Sequence, residues 1–449
     1  MIKLDWKNCD FLKPYLNGII ELFETFDSVD KELFFVGGFV RDLYKSSLIT
    51  SSSKGKFNKI VDLDFSTEIN HDAVGKILKT KFEIKTVGKG EQHGTWGVLI
   101  PDDRSDSNLW VEITSFRKDT ITNGRHSNTE HTNSIHEDAS RRDFTMNALY
   151  MRQNGEVIDP LKTGIDDLSK GVIKFIGSPL ERLEEDGLRL LRFFRFVATH
   201  DCKIGQEAYN SLENLPQNLL DDLDTQIHSD KVKKVISNER ITIECNKLFN
   251  ANNIISIVHS LRLMNKFLIL ETLFSANFND TFFDRFQSAM VNVKNIFDIN
   301  EDNFSSFILC IYFLHPDNLT LQTLKVNPLI SKRILELLKQ SAIILRIGEQ
   351  LKDKKSLAID DISVLRHMLK DDFEYLIIVY LSINDVPLTD IKKTLKLKYK
   401  VFPISARDII DTGRTGGDIS IAIKRLEKLW LEDTDLSRQS LLKILKEDA

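Results

Sequence analysis

The reading turns on Phe35-Val36-Gly37-Gly38-Phe39-Val40-Arg41-Asp42 and on Val61-Asp62-Leu63-Asp64-Phe65, which follows it after a polar insert. An apolar run leads into a Gly-Gly pair, then a helix-like stretch, then two carboxylates two positions apart. Side chains two apart on a strand share a face, so Asp62 and Asp64 are expected to project together at the edge of a sheet. Hard divalent cations such as Mg²⁺ take oxygen ligands, usually a few carboxylates completed by substrate phosphate and water. Glycines let backbone N–H groups approach a phosphate with no Cβ in the way. The combination points to a nucleoside triphosphate held through its phosphates and through metal. Taken singly, each piece has a plainer reading: Asp-x-Asp is also a solvated strand end, and Gly-Gly is also a turn.

With 449 residues the chain has room for two to four domains and a large core. No apolar run is long enough to span a bilayer. The start, MIKLDWKNCDFLKPYL, lacks the apolar core of a signal peptide and the Arg-rich, acid-poor character of a transit peptide, so a cytoplasmic protein is expected. Cys9, Cys202, Cys245 and Cys310 are scattered and suit reduced thiols better than a zinc site or a disulfide frame. The net charge of -5 neither announces nor excludes a nucleic-acid partner, because a positive groove can sit on an acidic protein.

Working outward, residues 1 to about 30 read as a helix, with Leu12, Leu16, Ile19, Ile20 and Phe23 near helical spacing. Strand signals concentrate at 34–36, 61–65, 82–87, 94–100, 110–115 and 146–151, with a helical stretch at 71–80. Lys45 to Lys59, rich in Ser and Lys, reads as a surface loop, and the polar stretch from Asp119 to Asp143 as another. After about residue 165 long amphipathic helices take over, such as 182–200, 254–274, 372–381 and 421–431. The fold class expected is α+β: a head with a mixed sheet at 1–165, then an all-helical neck at 166–250 and an all-helical body and tail at 251–449.

Three further stretches carry chemistry. Glu112 is a charge on an otherwise apolar strand, either a third carboxylate beside Asp62 and Asp64 or an outward-facing residue. In Arg141-Arg142-Asp143-Phe144-Thr145-Met146-Asn147-Ala148, two arginines precede an apolar run, a natural clamp for phosphate oxygens because guanidinium bonds them in a fork. Arg142 is the expected nucleotide contact, with Asp143 orienting the arginines. In Glu185-Asp186-Gly187-Leu188-Arg189, Asp186 and Arg189 would share a helix face. That spacing describes a helical salt bridge, but it also sets an acceptor beside a donor. Cytosine and adenine both present an amino donor beside a ring-nitrogen acceptor, whereas uracil and guanine present the reverse. One Asp–Arg pair can therefore accept C and A and leave polar groups unpaired against U and G. Arg192 and Arg195 continue at three-residue spacing, toward the triphosphate or in support of the pair.

Gly-Gly-x-Val-Arg-Asp followed by Asp-x-Asp resembles the active-site signature of the polymerase-beta-like nucleotidyltransferase superfamily, in its class II tRNA CCA-adding branch. Arg141 to Leu149, Glu185-Asp186-x-x-Arg189 and Asn238-Glu239-Arg240 through Glu244 are similar to later motifs of that branch. The length of the 119–143 stretch looks most like alphaproteobacterial and mitochondrial members. The resemblance is strong over about 34–249 and faint beyond. The insert at 45–59 and the small Gly187 depart from the pattern. The resemblance implies CCA addition to tRNA from CTP and ATP with Mg²⁺ on Asp62 and Asp64, and Glu112 beside them. It implies nucleotide contacts at Gly37, Gly38, Arg41, Arg142, Asp186, Arg189, Arg192 and Arg195, and a bracing role for the motif at 238–244. It also implies that the 119–143 loop helps the site change from C to A addition. Single-task CC-adding, A-adding or poly(A)-forming relatives and an inactive RNA-binding protein remain the alternatives. A mitochondrial location is the alternative for a eukaryotic source, and the sequence does not give the oligomeric state.

Overall fold

The computed structural model describes residues 2–49, 63–86, 95–105, 108–122, 127–223, 236–274, 276, 278–297, 303–314, 332–350, 359–397 and 399–447. The chain divides into two compact units, Met1–Leu248 with Lys266–Thr272, and Phe249–Asn265 with Leu273–Ala449. The stretches expected to form head and neck thus fall in one unit.

The first unit opens with α1 (Leu16–Asp27), β1 (Leu33–Val36), α2 (Gly38–Ile49), β2 (Asp64–Thr67), α3 (His71–Leu78), β3 (Ile84–Thr86), β4 (Thr95–Pro101) and β5 (Asn108–Ser115). A hairpin of β6 (Arg117–Thr122) and β7 (Ser127–His131) follows, then α4 (Ile135–Ser140), β8 (Tyr150–Met151) and β9 (Val157–Ile158). The main sheet has seven strands in the order β3-β4-β5-β2-β1-β8-β9. Only the β2–β5 pair is parallel, so the sheet is mixed, as expected.

Alternation sorts the strands' side chains onto two faces. Phe35 and Phe65, register partners, lie on one face, with ring centroids 4.8 Å apart. Phe23 of α1 packs 5.0 Å from Phe35 and Phe39 of α2 lies 5.1 Å from it, so these helices cover that face. Phe34, Val36 and Tyr150 point to the other face and bury against Phe116, Ala139 and Ile176. The polar residues of the site stand on this second face, beside that cluster.

Several elements differ from the sequence reading. The helix expected over 1–30 is α-helical only from Leu16. Trp6–Asn8 and Lys13–Tyr15 are single 3-10 turns. Pro14 supplies no N–H to continue a ladder, and buried Trp6 donates Nε1–H to the Gln153 carbonyl at 2.7 Å. Lys45 to Ile49, read as loop, extends α2; the rest of that insert, 50–59, lies outside the described residues. The stretch from 119 to 143, read as loop, contains a hairpin and a capped helix. Ser134 accepts the Glu137 N–H at the start of α4. The strand expected at 146–151 shrinks to Tyr150–Met151, after a 3-10 turn at Thr145–Asn147.

The rest of the unit adds α5 (Gly164–Ser169), β10 (Val172–Ile173), α6 (Pro179–Glu185), α7 (Leu188–His200), β11 (Lys203–Ile204), α8 (Gln206–Glu213), α9 (Gln217–Leu223) and α10 (Asn238–Phe249), whose last residue opens the second unit. The helix expected over 182–200 is therefore two helices, broken at Asp186 and Gly187. In the second unit the described residues hold helices and no strand. One of its clusters buries Ile409, Leu426, Trp430, Leu441 and Leu445. The helix expected over 254–274 is also interrupted, at Leu268, whose φ is +61°. Lys400, at the end of the basic stretch 392–400, pairs with Asp360 and Asp435 at 2.7 Å each.

Candidate active site

Register builds the centre of the site. Val36 pairs with Asp64, Asp64 with Glu112, Glu112 with Gly97, and Gly97 with Lys85. Residues directly opposite on neighbouring strands share a face, so these five form one row across β1, β2, β5, β4 and β3. Asp64 and Glu112 are neighbours in it, and both are half-buried. This brings the expected third carboxylate beside Asp64. Asp62 lies outside the described residues.

Gly37 and Gly38 stand at the β1 end of the row. Gly37 has φ +70°, a left-handed conformation that favours glycine. Its N–H donates to the Leu149 carbonyl at 3.1 Å, and its own carbonyl accepts the Arg41 N–H at 3.1 Å. The chain thereby turns from β1 straight into α2. The first N–H groups of that helix lack intrahelical partners, and the helix dipole favours an anion there.

Arg142 lies against this turn. A Cβ placed on Gly37 would sit 3.6 Å from Arg142 Nη1. The residue that orients Arg142 is Asp138, not Asp143 as the sequence suggested. Asp138, fully buried, accepts from Arg141 at 3.0 Å, Arg142 at 3.1 Å, the Tyr150 hydroxyl at 2.6 Å and the Arg117 N–H at 3.1 Å. Burial opposes its ionisation, yet Arg142 and Arg141 hold its carboxyl well below the usual carboxylate range. Burial pushes the Tyr150 hydroxyl up, so it stays protonated and donates.

Asp143 serves another arginine. Its Oδ2 accepts from Arg192 Nε at 3.0 Å, and its Oδ1 accepts from Asn147 Nδ2 at 3.0 Å and from the Phe144 N–H at 2.8 Å. Asn147 Oδ1 accepts from Arg41 Nη1 at 2.6 Å, and Arg41 grips Asp42 with Nε at 2.7 Å and Nη2 at 2.9 Å. A continuous polar chain thus runs Asp42–Arg41–Asn147–Asp143–Arg192, from the glycine turn to α7. Arg41 is buried. His200 Nε2 lies 3.2 Å from Asp42 Oδ1, and desolvation together with Arg41 lowers the imidazole to about 4. A neutral ring protonated at Nε2 donates to Asp42, and its Nδ1 lies 2.7 Å from the Thr199 hydroxyl, which donates to the Arg195 carbonyl at 2.9 Å.

The neck residues are arranged differently from the helical pair expected. Asp186 is extended, with φ −152° and ψ +101°, between α6 and α7. Its Oδ1 accepts the Leu188 N–H at 3.1 Å, and its Oδ2 accepts from Arg240 at 2.8 Å. Arg189 instead pairs with Glu185 and donates to the Arg182 carbonyl at 2.8 Å. Arg195 Nε stands 3.1 Å from Glu244 Oε2, an ion pair without hydrogen-bond alignment, and burial lowers the guanidinium to about 10. Arg240 and Glu244, both on α10, therefore brace Asp186 and Arg195.

A cleft of about 420 Å³ opens where β6, α4 and α6 meet, lined by Lys118, Asp119, Glu137, Arg141, Arg182 and Glu185 among others. Among the described residues no three His, Cys, Asp or Glu side chains converge as a metal site. Asp64 and Glu112 are the carboxylates at the row's centre, and the row contains no thiol or imidazole. Such a donor set fits a hard divalent cation.

Residues 33–174 match the poly A polymerase head domain. The chain is 29% identical over 266 residues to the mitochondrial CCA tRNA nucleotidyltransferase 1 of Danio rerio, covering 59% of this chain and 55% of the relative. It is 25% identical over 435 residues to the CCA-adding enzyme of Staphylococcus epidermidis, covering 92% of each. The chain spans about half the length of the first curated relatives it matches. A solved CCA-adding enzyme of Thermotoga maritima, complexed with tRNA, shares the fold with a TM-score of 0.64 and 20% identity, over 97% of this chain and 95% of that one. Over residues 33–174 the chain thus carries a poly A polymerase head domain, and over its length it is similar in sequence and in fold to CCA-adding enzymes.

Proposed function

We propose that this protein adds C, C and A in turn to the 3′ end of tRNA, from CTP and ATP and without a nucleic-acid template. The observation that carries the reading is the placement of Asp64 and Glu112 side by side, one strand from the Gly37–Gly38 turn. The turn, the first N–H groups of α2 and Arg142 take the triphosphate. Asp64, together with Asp62, holds Mg²⁺, which when bound activates the RNA 3′-hydroxyl and neutralises the departing pyrophosphate. The hydroxyl oxygen bonds to the α-phosphorus, the bond to the bridging β-phosphate oxygen breaks, and Glu112 is placed to accept the hydroxyl proton. The Asp42–Arg41–Asn147–Asp143–Arg192 chain holds the turn and α7 in one frame.

Base choice falls to Asp186 and Arg189. For Asp186 to accept from a cytosine or adenine amino group, it exchanges Arg240 for the base. The Asp186 and Arg240 side chains are 33% and 49% exposed, and a pair so open to water is weak, so the exchange costs little. Arg192 and Arg195, fixed by Asp143 and Glu244, support that pair. Residues 1–165 act as head, 166–250 as base-reading neck and 251–449 as the tRNA-holding body. No described helix is long and apolar enough to cross a membrane. The four buried free thiols suit a reducing cytoplasm.

The test is incorporation of labelled CTP and ATP, with Mg²⁺, into tRNA ending at the discriminator base, read at single-nucleotide resolution. Three additions and a stop are expected. A stop after two, addition of A only to tRNA already ending in CC, or a long A ladder would each reassign the protein to a single-task relative. In the same assay Asp64→Ala is expected to abolish transfer; transfer at the wild-type rate would sink the metal assignment.

A further inference from the structure

The row that carries Asp64 and Glu112 continues past them to Gly97 and Lys85, away from the Gly37–Gly38 turn. Trp110 precedes Glu112 by two residues on β5 and therefore shares its face. It is 39% exposed, whereas Trp6 and Trp430 are buried. Its indole leans across onto Gly97. A Cβ at position 97 would lie 1.8 Å from Cζ2 and 2.4 Å from Cη2 of the ring, so glycine there makes the seat in which the ring rests. Lys85 stands beside Gly97 in register. Its side chain is 64% exposed, with Glu83 3.6 Å away and equally open to water.

In-line displacement sets the attacking and leaving oxygens on opposite sides of the phosphorus. The turn and Arg142 hold the triphosphate at the β1 end of the row, so pyrophosphate departs toward β1. The attacking hydroxyl then arrives from the β5–β4 side, over Glu112, Trp110 and Gly97. On the nucleotidyl-transfer reading above, the base that carries this hydroxyl is the discriminator at the first addition and cytosine at the second and third. A contact there must hold successive bases without discriminating among them. Stacking on an aromatic ring does this, because every base has a π-face.

We propose that Trp110, seated on Gly97, is the stacking platform for the terminal base of the RNA acceptor, and that Lys85 takes a backbone phosphate beside it. The test compares Trp110→Leu, which still covers Gly97 but has no π-face, with Trp110→Phe, which keeps one. Trp110→Leu raises the acceptor KM about tenfold and leaves the KM for CTP unchanged, and Trp110→Phe recovers most of the loss. Lys85→Ala raises the acceptor KM about threefold and flattens its salt dependence. Adding acceptor RNA without nucleotide quenches indole emission in the wild type, and Trp110→Phe removes that component. An unchanged acceptor KM in Trp110→Leu, an equal rise in the KM for CTP, or Phe behaving as Leu would overturn the platform. Wild-type protein that transfers nothing to any acceptor would instead overturn the functional reading on which it rests.

Discussion

Asp138 holds both Arg142, beside the glycine turn, and Arg141, at the cleft. It is fully buried and accepts from two guanidinium groups, a phenol and a backbone N–H. Removing one partner of a buried charge network leaves the others uncompensated, at roughly 3–5 kcal/mol. Asp138→Asn is expected to lose on that order in urea unfolding and to raise the KM for CTP and ATP together, since Arg142 loses its anchor. An unchanged nucleotide KM would mean that Arg142 is held without Asp138. The folded carboxyl is depressed, so its contribution is present above the unfolded value near 4 and is lost as pH falls through the folded one. The gap between wild type and Asp138→Asn therefore closes only in acid, below about pH 4. At this scale the arginines were legible and their anchor was not. Arg141-Arg142-Asp143 drew attention to the adjacent carboxylate, while Asp138 lay in a stretch read as loop. The signal was there: Ser134-x-x-Glu137 is a helix start, and it sets Asp138 three and four residues before the arginines.

Helix α7 is docked on α2 by polar groups at its last turn. Lys45 of α2 donates to the His200 carbonyl at 2.5 Å, a cation at a helix C-terminus, and the neutral His200 ring meets Asp42. Its ring is lowered to about 4 from an ordinary 6.5, so the folded chain refuses a proton that the unfolded chain takes. The contribution is complete above pH 6.5 and drains as pH falls through 4, at most about 3 kcal/mol. Stability of the wild type relative to His200→Gln is thus expected to shrink between pH 7 and pH 4.5; a constant gap across that range would refute the neutral bridge. The strands of the head were readable because their apolar runs are short and bounded. The break between α6 and α7 was not, because the apolar pattern of Leu183, Leu188, Leu190 and Leu191 runs across it. What interrupts it is Asp186 turning extended to accept the Leu188 N–H at the start of α7, a backbone change that apolar spacing does not register. The 119–143 hairpin was hidden for the opposite reason: its strands are polar and carry no alternation.

At the scale of the whole molecule, the boundary between units does not fall at a single point in the chain. Lys266–Thr272 belongs with the first unit although the residues before it belong with the second. Phe267 packs 5.6 Å from the Tyr209 ring and 6.4 Å from that of Phe194, and Lys266 lies over Tyr209 at 4.6 Å. A chain ending at residue 248 is therefore expected to melt below one ending at 274, by several degrees in a calorimetric scan. Equal midpoints would show that the returning segment adds nothing to the first unit. The row across the sheet has a different consequence, for inheritance. Its members come from five strands and meet only because each strand keeps its count. Deleting or inserting one residue within β2 or β5 would turn Asp64 or Glu112 to the face of Phe65 and Ile113, among the aromatic rings. Length changes between Ile49 and Ile60 leave the register of the strands, and the spacing of Asp62 from Asp64, in place. Lineages of this protein should therefore vary freely in the length of that connection and hold the strands to a fixed frame, so that a single-codon loss in β5 dismantles the site where a fifteen-codon gain before Ile60 does not.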